Sequence, residues 1–314
     1  MNSFVFSLNA TMPVFLVMVV GYFLRQIGML NEEFCAVANR YVFKVALPLL
    51  LFKDIAGTDL RSDFQPTFMI YCMVVTSIMF LGIWALTAKL MPDKDLVGAF
   101  TQAAARSSAA VLGIAFVENI YGDPGLTPMM IVSAVPLFNI YSVIILTFSA
   151  KHRTKGSGAI RTACINVLKN PIILGILAGV PFSLLDISIP TIAVKTVTSI
   201  ASTATPVALL VVGAGFEGRQ ALAKLKPTVI ASMIKLVALP ALFLPAAIVL
   251  GFRGPEIVAV LIMLGSPTTV SCYIMAKNMD NDGELTSSIV VLTTLLSSVT
   301  LTAWIFLLKV NGLL

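Results

Sequence analysis

The sequence predicts an all-α integral membrane protein with about ten transmembrane helices as two inverted five-helix repeats, the fourth and ninth helices being interrupted. Three observations carry this expectation. The chain is strongly apolar, it divides into segments of membrane-crossing length, and residues of its first half recur in its second at a fixed spacing. Of its 314 residues, 58% are hydrophobic and only 11% charged, with a mean hydropathy of +0.97. A soluble domain carries about 25% charged residues. Polar groups here could not cover the apolar surface, so the main solvent must be lipid.

The apolar segments run over 4–24, 34–54, 66–90, 97–120, 127–149, 163–184, 191–216, 226–250, 256–279 and 284–308. Each is about the 20 residues a helix needs to cross the hydrocarbon. Strands of a membrane barrel would be shorter and would alternate apolar with polar residues. The first segment reads as a span and not a cleaved signal, because Met1-Asn2-Ser3 is uncharged and the apolar run continues to Leu24.

Pro13, Gly21 and Pro48 return 158 residues later as Pro171, Gly179 and Pro206. Ser107, Asn119 and Asp123 return 159 residues later as Ser266, Asn278 and Asp282. Five spans per half is an odd number, so the second half enters the membrane from the opposite side and the repeat is inverted. The expected division is 1–150 for the first repeat, 151–162 for a cytoplasmic linker and 163–314 for the second repeat. The linker carries Lys151, Arg153, Lys155 and Gly156-Ser157-Gly158 and reads as a flexible join. Together with Arg25, Lys89, Lys94, Lys224 and Lys226 it makes one side richer in cations than the side of Lys53, Arg61, Lys195, Arg253 and Lys309. The richer side is expected to be cytoplasmic, with both termini extracytoplasmic. This bias accounts for the net charge of +6 without a nucleic-acid partner.

Few enzyme classes survive the composition. Cys35, Cys72, Cys164 and Cys272 fall in separate apolar segments and make no CxxC pattern. The one histidine, His152, lies in the linker, too far from the spans to serve a serine nucleophile. A lone histidine cannot build a histidine metal site either. No metal and no cofactor are expected.

Spans four and nine carry small hydroxyl residues in mid-span, in Arg106-Ser107-Ser108-Ala109 and Ser266-Pro267-Thr268-Thr269-Val270-Ser271. Pro267 removes a backbone donor and clashes with the preceding turn, and hydroxyls can satisfy the groups a break frees. Two interrupted helices at matched places in a duplicated membrane protein point to a transport site. Pro48, Pro136, Pro206, Pro240 and Pro245 read as kinks within other spans.

Lys44, Arg106 and Lys235 stand about ten residues into their spans, near mid-depth. The spans show no acid at that depth, and Glu118 is near a surface. A cation at the bilayer centre costs about 2.5–3.5 kcal/mol on insertion scales. Three of them imply a polar cavity or an incoming anion. Arg106 is the sharpest case, because it adjoins a predicted break and its planar fork suits a carboxylate.

At these residues the chain resembles the auxin efflux carrier family, particularly its bacterial members that move malate and malonate. Arg106-Ser107-Ser108-Ala109-Ala110-Val111-Leu112-Gly113 is similar to the family's fourth-span pattern, with Ser108 where asparagine is common. Pro267-Thr268-Thr269-Val270, Asn170-Pro171, Ala46-Leu47-Pro48, Lys235-Leu236 and Pro136 to Asn139 also resemble family motifs. The resemblance implies that broken helices four and nine cross. It also implies an elevator-like motion against a dimerising scaffold of spans one, two, six and seven, hence a homodimer. The expectation is a secondary carrier of a small carboxylate in the bacterial inner membrane. Its substrate site comprises Arg106, Ser107, Ser108, Asn139, Ser266, Pro267, Thr268 and Thr269, with Lys235 as a second cation. The rivals are a sodium-coupled bile-acid-type symporter, which uses acidic and amide sodium ligands missing from these breaks, and an open anion channel.

Overall fold

A computed structural model describes residues 2–57, 65–109, 116–117, 120–122, 125–150, 164–165, 167–185, 187, 189–216 and 223–314. The linker 151–162 lies outside these residues. So do Arg61, the continuation of span four through Val111, Leu112 and Gly113, and Glu118, Asn119 and Asp123.

All regular structure among the described residues is helical. The first half holds α1 (Asn2–Gln26), α2 (Glu32–Tyr41), α3 (Leu47–Ala56), α4 (Pro66–Leu90), α5 (Val97–Ala105) and α6 (Thr127–Ser149). The second half holds α7 (Pro171–Leu185), α8 (Thr191–Ala201), α9 (Ala204–Ala214), α10 (Leu225–Met233) and α11 (Leu239–Val249), then α12 (Pro255–Gly265), α13 (Ser271–Asn278) and α14 (Gly283–Val310). Among the described residues, six continuous helical stretches are long and apolar enough to cross a membrane: Glu32–Ala56, Pro66–Leu90, Thr127–Ser149, Thr191–Ala214, Leu225–Val249 and Gly283–Val310. They fall on the expected spans two, three, five, seven, eight and ten. Of the other four expected spans, α1 covers the first, α5 only the start of the fourth, α7 the later part of the sixth, and α12 and α13 the two parts of the ninth.

Local chemistry sets several boundaries. The sixth span was expected from residue 163, but α7 begins at Pro171. The Asn170 side chain accepts the Ile172 N–H at 2.9 Å, the bond of a helix N-cap, and proline suits the first helical position because its missing donor is not needed there. Two other spans contain a π-helical turn, Val42–Ala46 between α2 and α3 and Ile234–Ala238 between α10 and α11. Each holds a lysine, Lys44 or Lys235, and each is followed by Leu-Pro. Pro48 and Pro240 have no N–H, and their rings collide with the carbonyl four residues earlier. Widening the turn by one residue relieves that collision. In the second case the freed Leu236 carbonyl accepts the Trp304 indole N–H at 3.0 Å. Lys44 is exposed, so this mid-depth cation faces outward, where its aliphatic stem can carry the ammonium along the surface.

Two hydrophobic cores result. One gathers side chains of α4, α5, α6, α10, α11, α12 and α14, among them Phe68, Phe80, Phe138 and Met263. The other joins α1, α2, α3, α7, α9 and α13 through residues such as Met18, Phe43, Ile172 and Val212. Outside them, Ile192 and Val249 leave more than four-fifths of their surface uncovered, as expected of side chains facing lipid tails. Just before α10, Lys224 ties the start of the eighth span to α14 through Asp282 at 2.7 Å and Glu284 at 2.9 Å. Burial pushes its ammonium pKa down, but the two carboxylates outweigh this and hold it above the ordinary lysine value.

Glycines bring α1 against α9 and α3 against α7. A Cβ at Gly21 would lie 2.3 Å from the Leu210 carbonyl oxygen, and one at Gly179 would lie 3.0 Å from that of Phe52. Leu210 follows Phe52 by the same 158 residues by which Gly179 follows Gly21. The same contact therefore occurs twice, with the halves exchanging roles. At Gly213 an added Cβ would come within 1.9 Å of the Met18 oxygen. Gly213→Ala must push the two backbones apart and should lower the thermal unfolding midpoint in detergent, at a cost of about 1–3 kcal/mol. Gly82→Ala, where an added Cβ meets nothing within 4 Å, should leave the midpoint unchanged or higher.

Candidate functional site

The site is built where two helices stop. α5 ends at Ala105 and α12 at Gly265, and the next residues are extended: Arg106 has φ −81 and ψ 131, and Ser266 has φ −70 and ψ 159. At Ser266 the following proline disfavours helical backbone. The two breaks meet through a backbone hydrogen bond, the Ser108 N–H donating to the Pro267 oxygen at 2.9 Å. Residues 108 and 267 are separated by the 159 residues that relate the second set of repeated positions. Equivalent points of the two halves thus touch each other.

A helix end leaves up to four carbonyls without an internal partner. Here each break caps the other. Thr268 Oγ1 donates to the Ala103 oxygen at 2.7 Å, near the end of α5. Ser107 Oγ donates to the Met263 oxygen near the end of α12. Lys235 Nζ donates to the Leu264 oxygen and to Ser107 Oγ. Its charge sits at the C-terminal end of α12, where a helix dipole favours a cation. Gln102 Nε2 donates to the Cys272 oxygen at 2.9 Å, and the Thr268 N–H donates to Thr293 Oγ1 at 3.1 Å.

Beside the paired breaks lies a cavity of about 70 Å³. One water needs ~10–15 Å³ on this measure, so the space admits a small molecule. One wall is Leu47, Leu50, Leu51 and Asp54, whose spacing puts them on a single face of α3. Arg106, Ser107 and Ser108 form another wall. Thr269 and Ser271 bring the start of α13 to the cavity, and a helix start favours negative charge. Asn139 from α6 and Thr205 from α9 complete the polar lining.

Arg106 is buried. Its Nη2 donates to Asn139 Oδ1 at 2.6 Å, and its Nη1 rests on Met275 Sδ. Asn139 Nδ2 in turn donates to the Val135 oxygen at 2.9 Å, which holds the amide oxygen toward the guanidinium. Among the described residues no carboxylate lies within ion-pair distance of Arg106.

Five of the nine residues to which the sequence points line the cavity: Arg106, Ser107, Ser108, Asn139 and Thr269. Ser266, Pro267, Thr268 and Lys235 do not line it; the first three form the break after α12 and Lys235 caps the end of that helix. Asp54, Thr205 and Ser271 line it without having been singled out by the sequence. For Asp54 a signal existed, since it continues the Leu47, Leu50, Leu51 stripe by one more helical turn.

These features define a multi-pass helical membrane protein with a polar cavity set at paired helix breaks. The chain belongs to the membrane transport protein family, that of the auxin efflux carriers, which it matches over residues 6–305. It is 25% identical over 309 residues to an "Uncharacterized transporter" of Methanothermobacter thermautotrophicus, covering 96% of this chain and 98% of that one. Another uncharacterized transporter, from Methanocaldococcus jannaschii, is 21% identical over 305 residues, 95% of this chain and 97% of the other. A Rhizobium meliloti protein named "Putative malonate transporter" is 24% identical over 310 residues, 96% of each chain. The family and these relatives point to transport rather than to catalysis.

Lys235→Met would leave the Leu264 oxygen without its ammonium donor. The expected result is a lower thermal midpoint in detergent, at a cost of about 1–3 kcal/mol for the stranded acceptor.

Proposed function

We propose that the protein is a secondary carrier of small organic anions, malate- or malonate-like carboxylates, working by alternating access. The observation that carries this reading is Arg106: a buried guanidinium, unpaired with any acid among the described residues, on the wall of a cavity that a helix start also faces. Such a cation at membrane depth is expensive without a partner. A carboxylate from outside supplies one, and guanidinium binds it through two parallel hydrogen bonds. Ser107, Ser108 and Thr269 offer hydroxyls to the rest of the anion, and Asn139 holds the arginine in place. The printed name of the Rhizobium meliloti relative favours the same substrate class.

In this reading ten spans form two inverted repeats, 1–150 and 163–314, joined by the linker 151–162. The exchanged glycine contacts and the pairing of Ser108 with Pro267 support that arrangement. The body around α4, α5, α6, α10, α12 and α14 would move elevator-like against a scaffold of α1, α2, α3, α7 and α9, two copies of which would associate as a homodimer. The carrier would sit in a bacterial inner membrane with both termini extracytoplasmic.

The test is uptake into proteoliposomes of radiolabelled dicarboxylates, monocarboxylates and indole-3-acetate. Saturable uptake and counterflow of at least one small carboxylate are expected, unchanged when sodium is removed. Losing one partner of a buried charge pair costs about 2–5 kcal/mol, so Arg106→Ala should lower kcat/KM roughly 30-fold or more. Undiminished transport by that variant would end the anion-site reading.

A further inference from the structure

We infer that Phe138 sets the selectivity of the cavity: it admits slender acids and turns away those whose carboxylate is bonded directly to a ring or to a quaternary carbon. The inference rests on the carrier reading above and adds which small carboxylates are taken and which residue chooses them. Of the residues lining the cavity, Leu50, Ser108, Val135, Thr205 and Thr269 keep part of their surface exposed, whereas Arg106, Phe138 and Asn139 are buried at its inner end. Phe138 is the largest apolar side chain of the lining. It precedes Asn139 on α6, and the Asn139 oxygen accepts the Arg106 Nη2. A carboxylate that pairs with Arg106 therefore brings its first carbon beside the Phe138 ring.

That ring is braced from behind. Its centre lies 5.8 Å from that of Phe80, and Phe80 stacks on Tyr141 at 5.6 Å. Phe80 is fully buried, and the Tyr141 hydroxyl donates to Ser77 Oγ at 2.9 Å. A close-packed interior has no empty volume to receive a displaced ring. Space in front of it is short as well. The cavity measures about 70 Å³, whereas an apolar cavity of about 150 Å³ holds one benzene. The phenyl group of benzoate and the tert-butyl group of pivalate are fixed to the carboxyl carbon, so both compete with Phe138 for the same space. Propionate and malonate carry only a methylene there and extend along the α3 face of Leu47, Leu50 and Leu51.

The experiment is competition against counterflow of labelled malonate in proteoliposomes, with lactate as the labelled acid if malonate is not carried. Propionate, pivalate and benzoate are the competitors, at a pH where all are ionised. In the unsubstituted protein the inhibition constants of pivalate and benzoate are expected to exceed that of propionate about tenfold or more. Phe138→Ala vacates a space shaped like the benzoate ring, and should lower the benzoate-to-propionate ratio about tenfold. Phe138→Leu, which keeps more of the packing, should lower it less. The ratio is the readout, because a variant that merely loosens the protein weakens every acid alike. Benzoate or pivalate binding the unsubstituted protein as tightly as propionate overturns the inference, as does an unchanged ratio in a Phe138→Ala protein that still carries the labelled acid. If neither variant folds, the unsubstituted protein decides: exclusion of both bulky acids upholds the inference and acceptance of either overturns it. Absence of saturable uptake for every acid would instead remove the carrier reading on which the inference stands.

Discussion

Two helices that stop inside a membrane depend on each other, and the hydrogen bond from the Ser108 N–H to the Pro267 oxygen is where that dependence closes. In hydrocarbon there is no water to satisfy a freed backbone group, so irregular chain survives only where protein supplies partners. Thr268 and Ser107 supply them reciprocally, and Lys235 supplies the rest from a third helix. Once both ends are satisfied, the backbone at Arg106 can run extended, and its side chain reaches a cavity wall. Site and fold are the same construction seen from two sides, because the residues that allow the breaks also place the cation.

Around that point the protein is divided in its packing. Glycines at Gly21, Gly175, Gly179 and Gly213 let backbones touch between α1 and α9 and between α3 and α7. The other core relies on interdigitated large side chains such as Phe68, Phe80 and Phe138. Polar contacts at the end of α13 add to the glycine packing. Asn278 reaches the Asn39 oxygen at 3.5 Å and Asn170 reaches Met279 Sδ at 3.6 Å. Both lie within the glycine-packed core, to which α13 also belongs.

Much of this was legible in the sequence, and the reasons are specific. Apolar length placed the spans, with 66–90 and 127–149 coinciding with α4 and α6. Hydroxyl clusters and Pro267 marked the breaks, because small polar residues in mid-span have few other uses. Arg106 stood out for the same reason. What escaped depends on direction in space. Lys44 and Lys235 look alike in sequence, three and four residues ahead of Leu-Pro, yet one faces outward and the other is fully buried. Trp304 carried no signal of its own, and its indole repairs the carbonyl that Pro240 leaves open. Asp54 was hidden by its place at the end of a span, where an acid ordinarily reads as a surface residue.

The π turn before α3 decides which way that helix looks. It holds one residue more than the α-helical pattern, so everything beyond it is turned by about 100° relative to α2. Leu47, Leu50, Leu51 and Asp54 meet the cavity only in that shifted phase. The strain of one proline, Pro48, therefore acts as an angular setting. It aims an entire helix face, Asp54 included, at the cavity that Arg106 also lines.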